Sequence, residues 1–405
     1  MKIIIAPDSY KESLSAEAVA NQIEAGFVEI FPDAEYIKLP MADGGEGTVA
    51  ALVAATHGCL VKKVVTGPLG HPVEAFYGLT GDGQTAVIEM AAASGLELVP
   101  FNQRNPLITT TFGTGELIRD ALDAGVRHII LGIGGSATND GGSGMAQALG
   151  ACLQDKNKQE IGFGGGALDQ LDKIDISNLD ARLGQCKIEV ACDVTNPLIG
   201  PKGASAIFGP QKGATPELVA LLDANLAHYC NLITRDIGID ICYTPGAGAG
   251  GGMGAAALAF LKADLRPGIE IVVKAAGLEK AMQGADLVIT GEGRIDSQTI
   301  HGKTPIGVAK AAKRFGIPVI GIAGGLTADV GIVYEHGLDA VFSVLYSFCT
   351  RQEALENAAA NIRMAARNIA AILKMGQSLK LLNIQPENYE PSLSPSIDIP
   401  HQAWI

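Results

Sequence analysis

Short apolar segments alternate with helical patterns at both ends of this chain, and that alternation constrains the fold more than any other feature. Near the N-terminus, Val19, Ile23 and Phe27 recur at the spacing of one helix face. Thr304 followed by Pro305 marks another helix start, because a cap residue and a proline suit the first turn. Strands alternating with helices predict a parallel sheet with right-handed crossovers. The predicted strands lie over residues 2–6, 34–39, 286–290, 317–322 and 340–344, and the helices include 48–56, 304–315, 328–336 and 351–375.

The middle of the chain has a different pattern. Val73, Ala75 and Tyr77 alternate with other residues before a Gly-Asp-Gly turn, which predicts a hairpin and therefore antiparallel strands. We therefore predict an α/β protein in which a parallel-sheet domain is built from both ends of the chain and a second α/β domain is inserted into it. The cleft between two such domains is a favoured ligand site. The predicted domains are one formed by residues 1–66 and 285–376, and one formed by residues 67–284.

Composition argues against nucleic acid as a partner and indicates that loops bind the ligand. The formal net charge of −13 argues against nucleic acid, because binding to the phosphate backbone depends on clustered Lys and Arg. Glycine makes up 51 of 405 residues and clusters where apolar runs end, which predicts loops whose backbone approaches a ligand. Residues 377–405 contain four prolines and the only tryptophan, Trp404, and are predicted to form a polar, loosely attached tail.

Cysteine usage and hydropathy indicate the cellular compartment of the protein. The seven cysteines include no C-x-x-C pair and lie mostly in apolar surroundings, so we predict reduced thiols. Ile3–Ile5 is too short for the apolar core of a signal peptide, and the Gly- and Ala-rich stretch at 241–261 does not resemble a membrane span. A soluble cytoplasmic protein is expected.

Two loops that follow N-terminal strands combine acids with possible phosphate-binding groups. Asp8 could hold a metal or orient a hydroxyl, and Lys11 could neutralise a phosphate or a carboxylate. Three glycines between 44 and 47 form a possible backbone nest for an anion. A plain connecting loop and a tight turn capped by Asp43 are the alternatives. The candidate binding residues here are Ser9, Asp43, Gly44, Gly45 and Glu46.

Two glycine-rich segments of the middle region suit a phosphate. The loop at 132–142 follows a predicted strand and also fits the dinucleotide pattern G-x-G-x-x-G/A, although the glycine run continues instead of entering a helix directly. The segment at 246–254 precedes a helix and is either a phosphate loop or a flexible hinge. The candidate binding residues are Gly134, Gly135, Ser136, Thr138, Asn139, Gly250, Gly251 and Gly252.

Acids and bases also follow two further strands. Asp193 ends an apolar strand and suits a metal ligand or a base, with an Asx-turn before Pro197 as the alternative. The polar stretch at 290–297 is followed by Gly302-Lys303-Thr304, but position 297 is Ser, so the Walker A pattern fails, and the protein-kinase motifs H-R-D and D-F-G are missing. The candidate binding residues of this stretch are Glu292, Arg294 and Lys303, and Asp296 is a candidate metal ligand.

Taken together and in this order, these loops resemble the bacterial glycerate kinase family, in the type that makes 2-phosphoglycerate. The resemblance covers residues 1–376 and implies a flavodoxin-like domain formed from both termini, with an inserted α/β domain. It also implies ATP as the phosphoryl donor and D-glycerate as the substrate. The matching stretches are 6–15, 41–48, 113–116, 132–145, 192–198, 209–213, 245–256 and 290–296.

A kinase of this kind needs Mg²⁺, charge neutralisation and an acceptor for the hydroxyl proton. We assign catalysis to Asp193, Asp8 and Lys11, and Mg²⁺ binding to Asp193 and Asp296. Lys212 joins Lys11, Arg294 and Lys303 as a cation that could balance the phosphate or the glycerate carboxylate. An NAD-dependent hydroxyacid dehydrogenase and a non-catalytic small-ligand binding protein are the alternatives.

Overall fold

A computed structural model describes residues 1–381 of the chain. Strands form where β-branched and other apolar residues run together, as in the fully buried segment Ile3–Ile5. The strands are β1 (Lys2–Ile5), β2 (Glu35–Lys38), β3 (Cys59–Thr66), β4 (Pro72–Leu79), β5 (Thr85–Glu89), β6 (His128–Gly132), β7 (Cys152–Asp155), β8 (Leu171–Asp175), β9 (Lys187–Ala191), β10 (Asp264–Arg266), β11 (Leu287–Ile295), β12 (Val319–Leu326) and β13 (Ala340–Ser343).

Several helices begin at residues whose side chains cap the first turn. Ser15 Oγ accepts a hydrogen bond from the backbone N–H of Ala18 at 3.2 Å, and Thr215 Oγ1 accepts one from that of Leu218 at 3.4 Å. The helices are α1 (Ala16–Val28), α2 (Thr48–Thr56), α3 (Ala91–Ser94), α4 (Phe112–Asp123), α5 (Ser143–Ala148), α6 (Ala204–Phe208), α7 (Pro216–Ile237), α8 (Ala249–Phe260), α9 (Gly268–Ala275), α10 (Leu278–Met282), α11 (Thr304–Lys313), α12 (Arg351–Glu356) and α13 (Ala358–Leu381). None of them has both the length and the apolar character that crossing a membrane requires.

The first sheet has the strand order β2-β1-β11-β12-β13, and all of its pairs are parallel. This is the order of the flavodoxin-like doubly wound fold, here assembled from both ends of the chain. Ile3 and Ile5 share a buried core with α1 and α13 on one face, whereas Ile4 and Ala6 share one with α2, α9 and α11 on the other. The predicted parallel sheet built from both termini is confirmed.

The second sheet has the strand order β3-β4-β5-β6-β9-β10. Strands β3, β4 and β5 pair antiparallel, and the remaining pairs are parallel. This sheet confirms the predicted inserted α/β domain with antiparallel strands. Val87, Ile130 and Ala191 belong to the same buried core as Ile4, so α2 and α9 lie between the two sheets.

The sheets suggest domain boundaries that differ from 66/67 and 284/285. Strand β3 was assigned to the first domain by the sequence pattern, but it pairs with β4 along its whole length. Helices α9 and α10 were assigned to the inserted domain, but their buried residues share a core with the first sheet. We therefore propose that the inserted domain spans about residues 59–267, the first and last strands of its sheet being β3 and β10.

Three local predictions need correction. Strand β11 continues through Ile295 because β12 pairs with it as far as Leu326, so Glu292 and Arg294 lie in a strand and not in a loop. Helix α13 continues past Gly376 to Leu381, so the predicted tail begins in a helix, and its remainder at 382–405 lies outside the described residues. Cys230 and Cys242 were predicted to be reduced but form a disulfide, because the chain reverses between them and brings their Cα atoms to 5.7 Å.

Candidate active site

The site begins where the loop after β2 reaches the inserted domain. Gly44 has a left-handed φ of 94°, and a methyl group added there would lie 2.5 Å from Cβ of Ala191 and 2.8 Å from Cα of Gly268. Only glycine permits so close an approach of two backbones. The contact brings Asp43 of the first domain beside Asp193 at the carboxyl end of β9, and both carboxylates line the same cavity.

Two cavities share this loop as a wall. The Lys212 cavity has a volume of about 290 Å³ and is lined by Asp43, Asp193, Ser136, Lys212 and neighbouring residues. The Lys11 cavity has a volume of about 600 Å³. Among the predicted residues that line the Lys11 cavity are Lys11, Asp43, Gly44, Gly45, Glu46, Gly134 and Gly135. The structure therefore brings together predicted site residues from five separate segments, represented by Lys11, Asp43, Gly134, Asp193 and Gly250.

Asp193 is exposed to the Lys212 cavity, and only one of its carboxylate oxygens is engaged. Oδ1 accepts a hydrogen bond from the backbone N–H of Gly268 at 3.1 Å. Among residues 1–381 no donor reaches Oδ2 and no cation pairs with the group. Partial removal from bulk water raises the pKa of Asp193 to about 6, with repulsion by Asp43 and Glu270 adding to the shift. An acid in this state suits either a cation or a proton.

Asp8 is held more rigidly than Asp193. Oδ1 accepts hydrogen bonds from the backbone N–H of Ser9 at 2.6 Å and from Ser9 Oγ at 3.2 Å, and Oδ2 accepts one from Thr304 Oγ1. Burial raises the pKa of Asp8 to about 6, and repulsion by Asp43 contributes. Lys11 is exposed and lines the Lys11 cavity, so the loop after β1 reaches the cleft through this lysine.

Glu292, Lys303, Arg294 and Asp296 form two separate pairs. Glu292 Oε1 accepts a hydrogen bond from Thr299 Oγ1 at 2.7 Å, and Oε2 lies 3.5 Å from Lys303 Nζ. Burial raises the pKa of Glu292 to about 7. Arg294 is largely exposed and pairs with Asp296 at 3.1 Å, and Asp296 also accepts from the backbone N–H of Gln298. None of the four lines either of the two cavities.

Asp140 stabilises the glycine-rich loop after β6 through hydrogen bonds. This buried carboxylate accepts hydrogen bonds from Thr111 N, Thr111 Oγ1, Gly142 N and Gly144 N, which gives it a structural role. Thr138 and Asn139 are fully buried, and neither lines the two cavities. Of the predicted binding residues in this loop, Gly134, Gly135 and Ser136 line the cleft.

The glycines that open α8 are closely packed and do not form an open hinge. Gly250, Gly251 and Gly252 have left-handed φ values of 63°, 74° and 92°. A methyl group added at Gly251 would overlap the carbonyl oxygen of Thr138, and Lys212 Nζ would lie 2.9 Å from it. The segment therefore lets the backbone pass against the loop after β6, and Gly250 itself lines the Lys212 cavity.

Glu89 is a site residue that the sequence analysis missed. It ends β5 and lines the Lys11 cavity, and its Oε1 accepts a hydrogen bond from the backbone N–H of Val49 at 2.8 Å, in the first turn of α2. Burial raises its pKa. An acid at the carboxyl end of a predicted strand was the signal that could have found it.

The fold and the site define a two-domain α/β protein with an acidic, glycine-lined cleft between its sheets. A family model described as the glycerate kinase family matches residues 3–374. The chain belongs to the glycerate kinase family.

Individual relatives agree with the family model. The chain is 63% identical over 376 residues to the glycerate 2-kinase of Escherichia coli K12, across 93% of this chain and 99% of that protein. It is 60% identical over 382 residues to the glycerate kinase of Bacillus subtilis 168, across 94% and 100%. A crystal structure of a candidate glycerate kinase 2 from Salmonella typhimurium LT2 superposes with a TM-score of 0.88 at 66% identity, across 93% and 99%.

Proposed function

We propose that this chain is a cytoplasmic glycerate kinase, which transfers the γ-phosphoryl group of Mg-ATP to a hydroxyl of D-glycerate and yields 2-phosphoglycerate and ADP. The observation that carries the proposal is the Lys212 cavity. Asp43 from one domain and Asp193 from the other line it, and neither forms an ion pair with a Lys or Arg of residues 1–381; beside them, the N–H groups of Gly134 and Gly135 have no acceptor among the same residues. Phosphoryl transfer requires this combination of acids for a metal and donors for phosphate.

The acids of this cavity fit a hard divalent cation. Asp43 Oδ1 accepts a hydrogen bond from the backbone N–H of Gly45 at 3.1 Å, and no donor among the described residues reaches Oδ2 of Asp43 or of Asp193. Carboxylate oxygens of this kind are the ligands that Mg²⁺ prefers. When bound, Mg²⁺ would neutralise charge on the phosphates. Asp43 replaces Asp296 in our proposed ligand set, because Asp296 is occupied by Arg294.

The chain's own residues position the substrate and move its proton. Lys11 would bind the glycerate carboxylate, and its exposure as a cation at the wall of the Lys11 cavity supports this role. Asp193 is required as an ionised carboxylate, either to accept the hydroxyl proton of glycerate or to hold the metal. We assign Asp8 an electrostatic role, because Ser9 and Thr304 hold it in one orientation near Asp43, whose repulsion contributes to the raised pKa of Asp8. A carboxylate whose pKa lies near 6 serves as a base close to neutral pH.

A coupled assay for ADP release tests the activity. With ATP and Mg²⁺, the chain should release ADP with D-glycerate, and far less with glycerol, which has the hydroxyls but lacks the carboxylate that Lys11 would bind. Absence of ADP release with glycerate would contradict the proposal. A fluorescence titration with NADH serves as the control for the dehydrogenase alternative, which requires binding that we do not expect.

A further inference from the structure

Lys212 is a buried cation without a partner of opposite charge. Its side chain is 1% exposed, and Nζ donates hydrogen bonds to Ser136 Oγ at 2.6 Å and to the carbonyl oxygen of Thr138 at 2.7 Å. No carboxylate within residues 1–381 pairs with it. An ammonium has three protons, so one is left without a protein acceptor.

Burying such a group costs free energy that the protein does not recover from its own contacts. The charged group that acts on Lys212 is Asp140, whose carboxylate is already held by the Thr111 hydroxyl and by three backbone N–H groups. Burial lowers the pKa of Lys212 to about 7. A ligand anion against Nζ would supply the missing charge and restore the ammonium.

Backbone N–H groups without a hydrogen-bond acceptor among the described residues lie in the same cavity as this lysine. The backbone N–H groups of Gly134, Gly135 and Ser136 have no acceptor in the part of the chain that the structure describes. Ser136 Oγ accepts a hydrogen bond from Lys212 Nζ, so its own hydroxyl hydrogen is free to donate. All three residues line the same cavity as Lys212. Consecutive free N–H groups beside a cation form an anion site.

We propose that Lys212, Ser136 and the N–H groups of Gly134 and Gly135 form the site for the terminal phosphates of the nucleotide. The proposal rests on the proposed function and divides the cleft, with phosphate in the Lys212 cavity and the glycerate carboxylate at Lys11. Phosphate fits better than a carboxylate because it has more acceptor oxygens for this set of N–H, hydroxyl and ammonium donors. Asp43 and Asp193, which line the same cavity, would share a metal with a polyphosphate.

Calorimetric binding to Lys212→Met tests the site without turnover. The Mg²⁺ complex of a non-hydrolysable ATP analogue should bind the variant about 10- to 100-fold more weakly than the parent, the usual loss for a charge-assisted hydrogen bond. D-glycerate should bind both proteins alike. At pH 8 the parent should take up about one proton on binding the analogue, because the anion restores the ammonium, and the variant should take up none.

The controls distinguish loss of the phosphate site from loss of folding and from loss of kinase activity. Lys202→Met removes an exposed lysine and should bind the analogue as the parent does. Lys212→Met should melt no lower than the parent, because it removes a buried charge. If Lys212→Met does not fold, the same binding measurements are made on Lys212→Gln. Unchanged analogue binding in the variant, or weakened glycerate binding alone, would overturn the proposal. Magnesium pyrophosphate binding that is lost with Lys212 would support the site even if glycerate were not phosphorylated.

Discussion

At the scale of single residues, Asp193 carries the clearest expectation. Asp193→Asn keeps the shape of the side chain and the acceptor for Gly268 N–H but removes the charge. If the carboxylate takes part in the chemistry, kcat should fall by about 10²–10⁴-fold. Folding should change little, because a turn uses Asn as readily as Asp. Steady-state kinetics and a thermal melt of the variant measure both effects.

The matched control is Asp33→Asn, which removes an exposed acid that has no hydrogen bond or ion pair among the described residues. The magnesium dependence of Asp193→Asn separates the two roles left open above. A base would lower kcat at every Mg²⁺ concentration, whereas a metal ligand would also raise the Mg²⁺ concentration required. Turnover within about threefold of the parent, far short of the loss of a base, would end the assignment.

The pH dependence of activity and of stability follows from the raised pKa values of two acids. The pKa values of Asp8 and Asp193 are both raised to about 6, so kcat/KM should fall as pH drops through 6 and the carboxylates are protonated. Because the folded pKa of Asp193 exceeds the unfolded value, its ionised form opposes folding near neutral pH, and protonation relieves this as pH falls. Asp193→Asn should therefore melt at or above the parent at pH 7.5 and lose that advantage by pH 4. A parent that melts higher than the variant at pH 7.5 would contradict the sign.

At the scale of elements, the glycines that open α8 make a test of close packing. Gly251→Ala places a methyl group against the carbonyl oxygen of Thr138 and also requires a left-handed alanine, which alone costs about 1–2 kcal/mol. Gly277→Ala is the control, because Gly277 is also left-handed, with φ 68°, but a methyl group there would meet open space. Urea denaturation should show a larger loss of stability for Gly251→Ala. Equal losses would mean that the packing contact is unimportant.

Elements whose pattern is local could be predicted from the sequence. Helix α2 spans the predicted 48–56, because its start after three glycines and its apolar content do not depend on distant partners. The extension of β11 could not be predicted, because Gly291–Ile295 is strand only by pairing with β12. The predicted single helix over 351–375 is broken at Asn357, where the chain leaves helical geometry.

The site residues that could be predicted from the sequence were likewise those marked by a local pattern, whereas those that depend on tertiary contacts could not be predicted. Asp8, Asp43 and Asp193 could be singled out because each follows a strand, and the carboxyl ends of parallel strands share an edge. The burial of Lys212 could not be predicted, since it depends on contact between loops 74 and 76 residues apart in sequence. The pairing of Arg294 with Asp296 is local, since the two residues are two positions apart, but it was not predicted because Asp296 was interpreted as a metal ligand.

At the scale of the whole molecule, the C-terminal end is expected to be dispensable. The relatives in Escherichia coli and Bacillus subtilis are matched over nearly their full length by 93–94% of this chain, and the family model ends at residue 374. Residues 376–379 are exposed on α13. Removing residues 382–405 should therefore leave the melting temperature and turnover close to those of the parent. A large loss of either would show that these residues contribute to the fold.

We propose that the cleft between the two sheets brings the phosphates of ATP into contact with D-glycerate. Phosphorus NMR of a mixture of the chain with ATP, Mg²⁺ and D-glycerate tests it most directly. We expect the signal of 2-phosphoglycerate to grow in step with that of ADP. A signal for 3-phosphoglycerate alone would contradict the position of transfer, and the absence of any ADP would contradict the kinase.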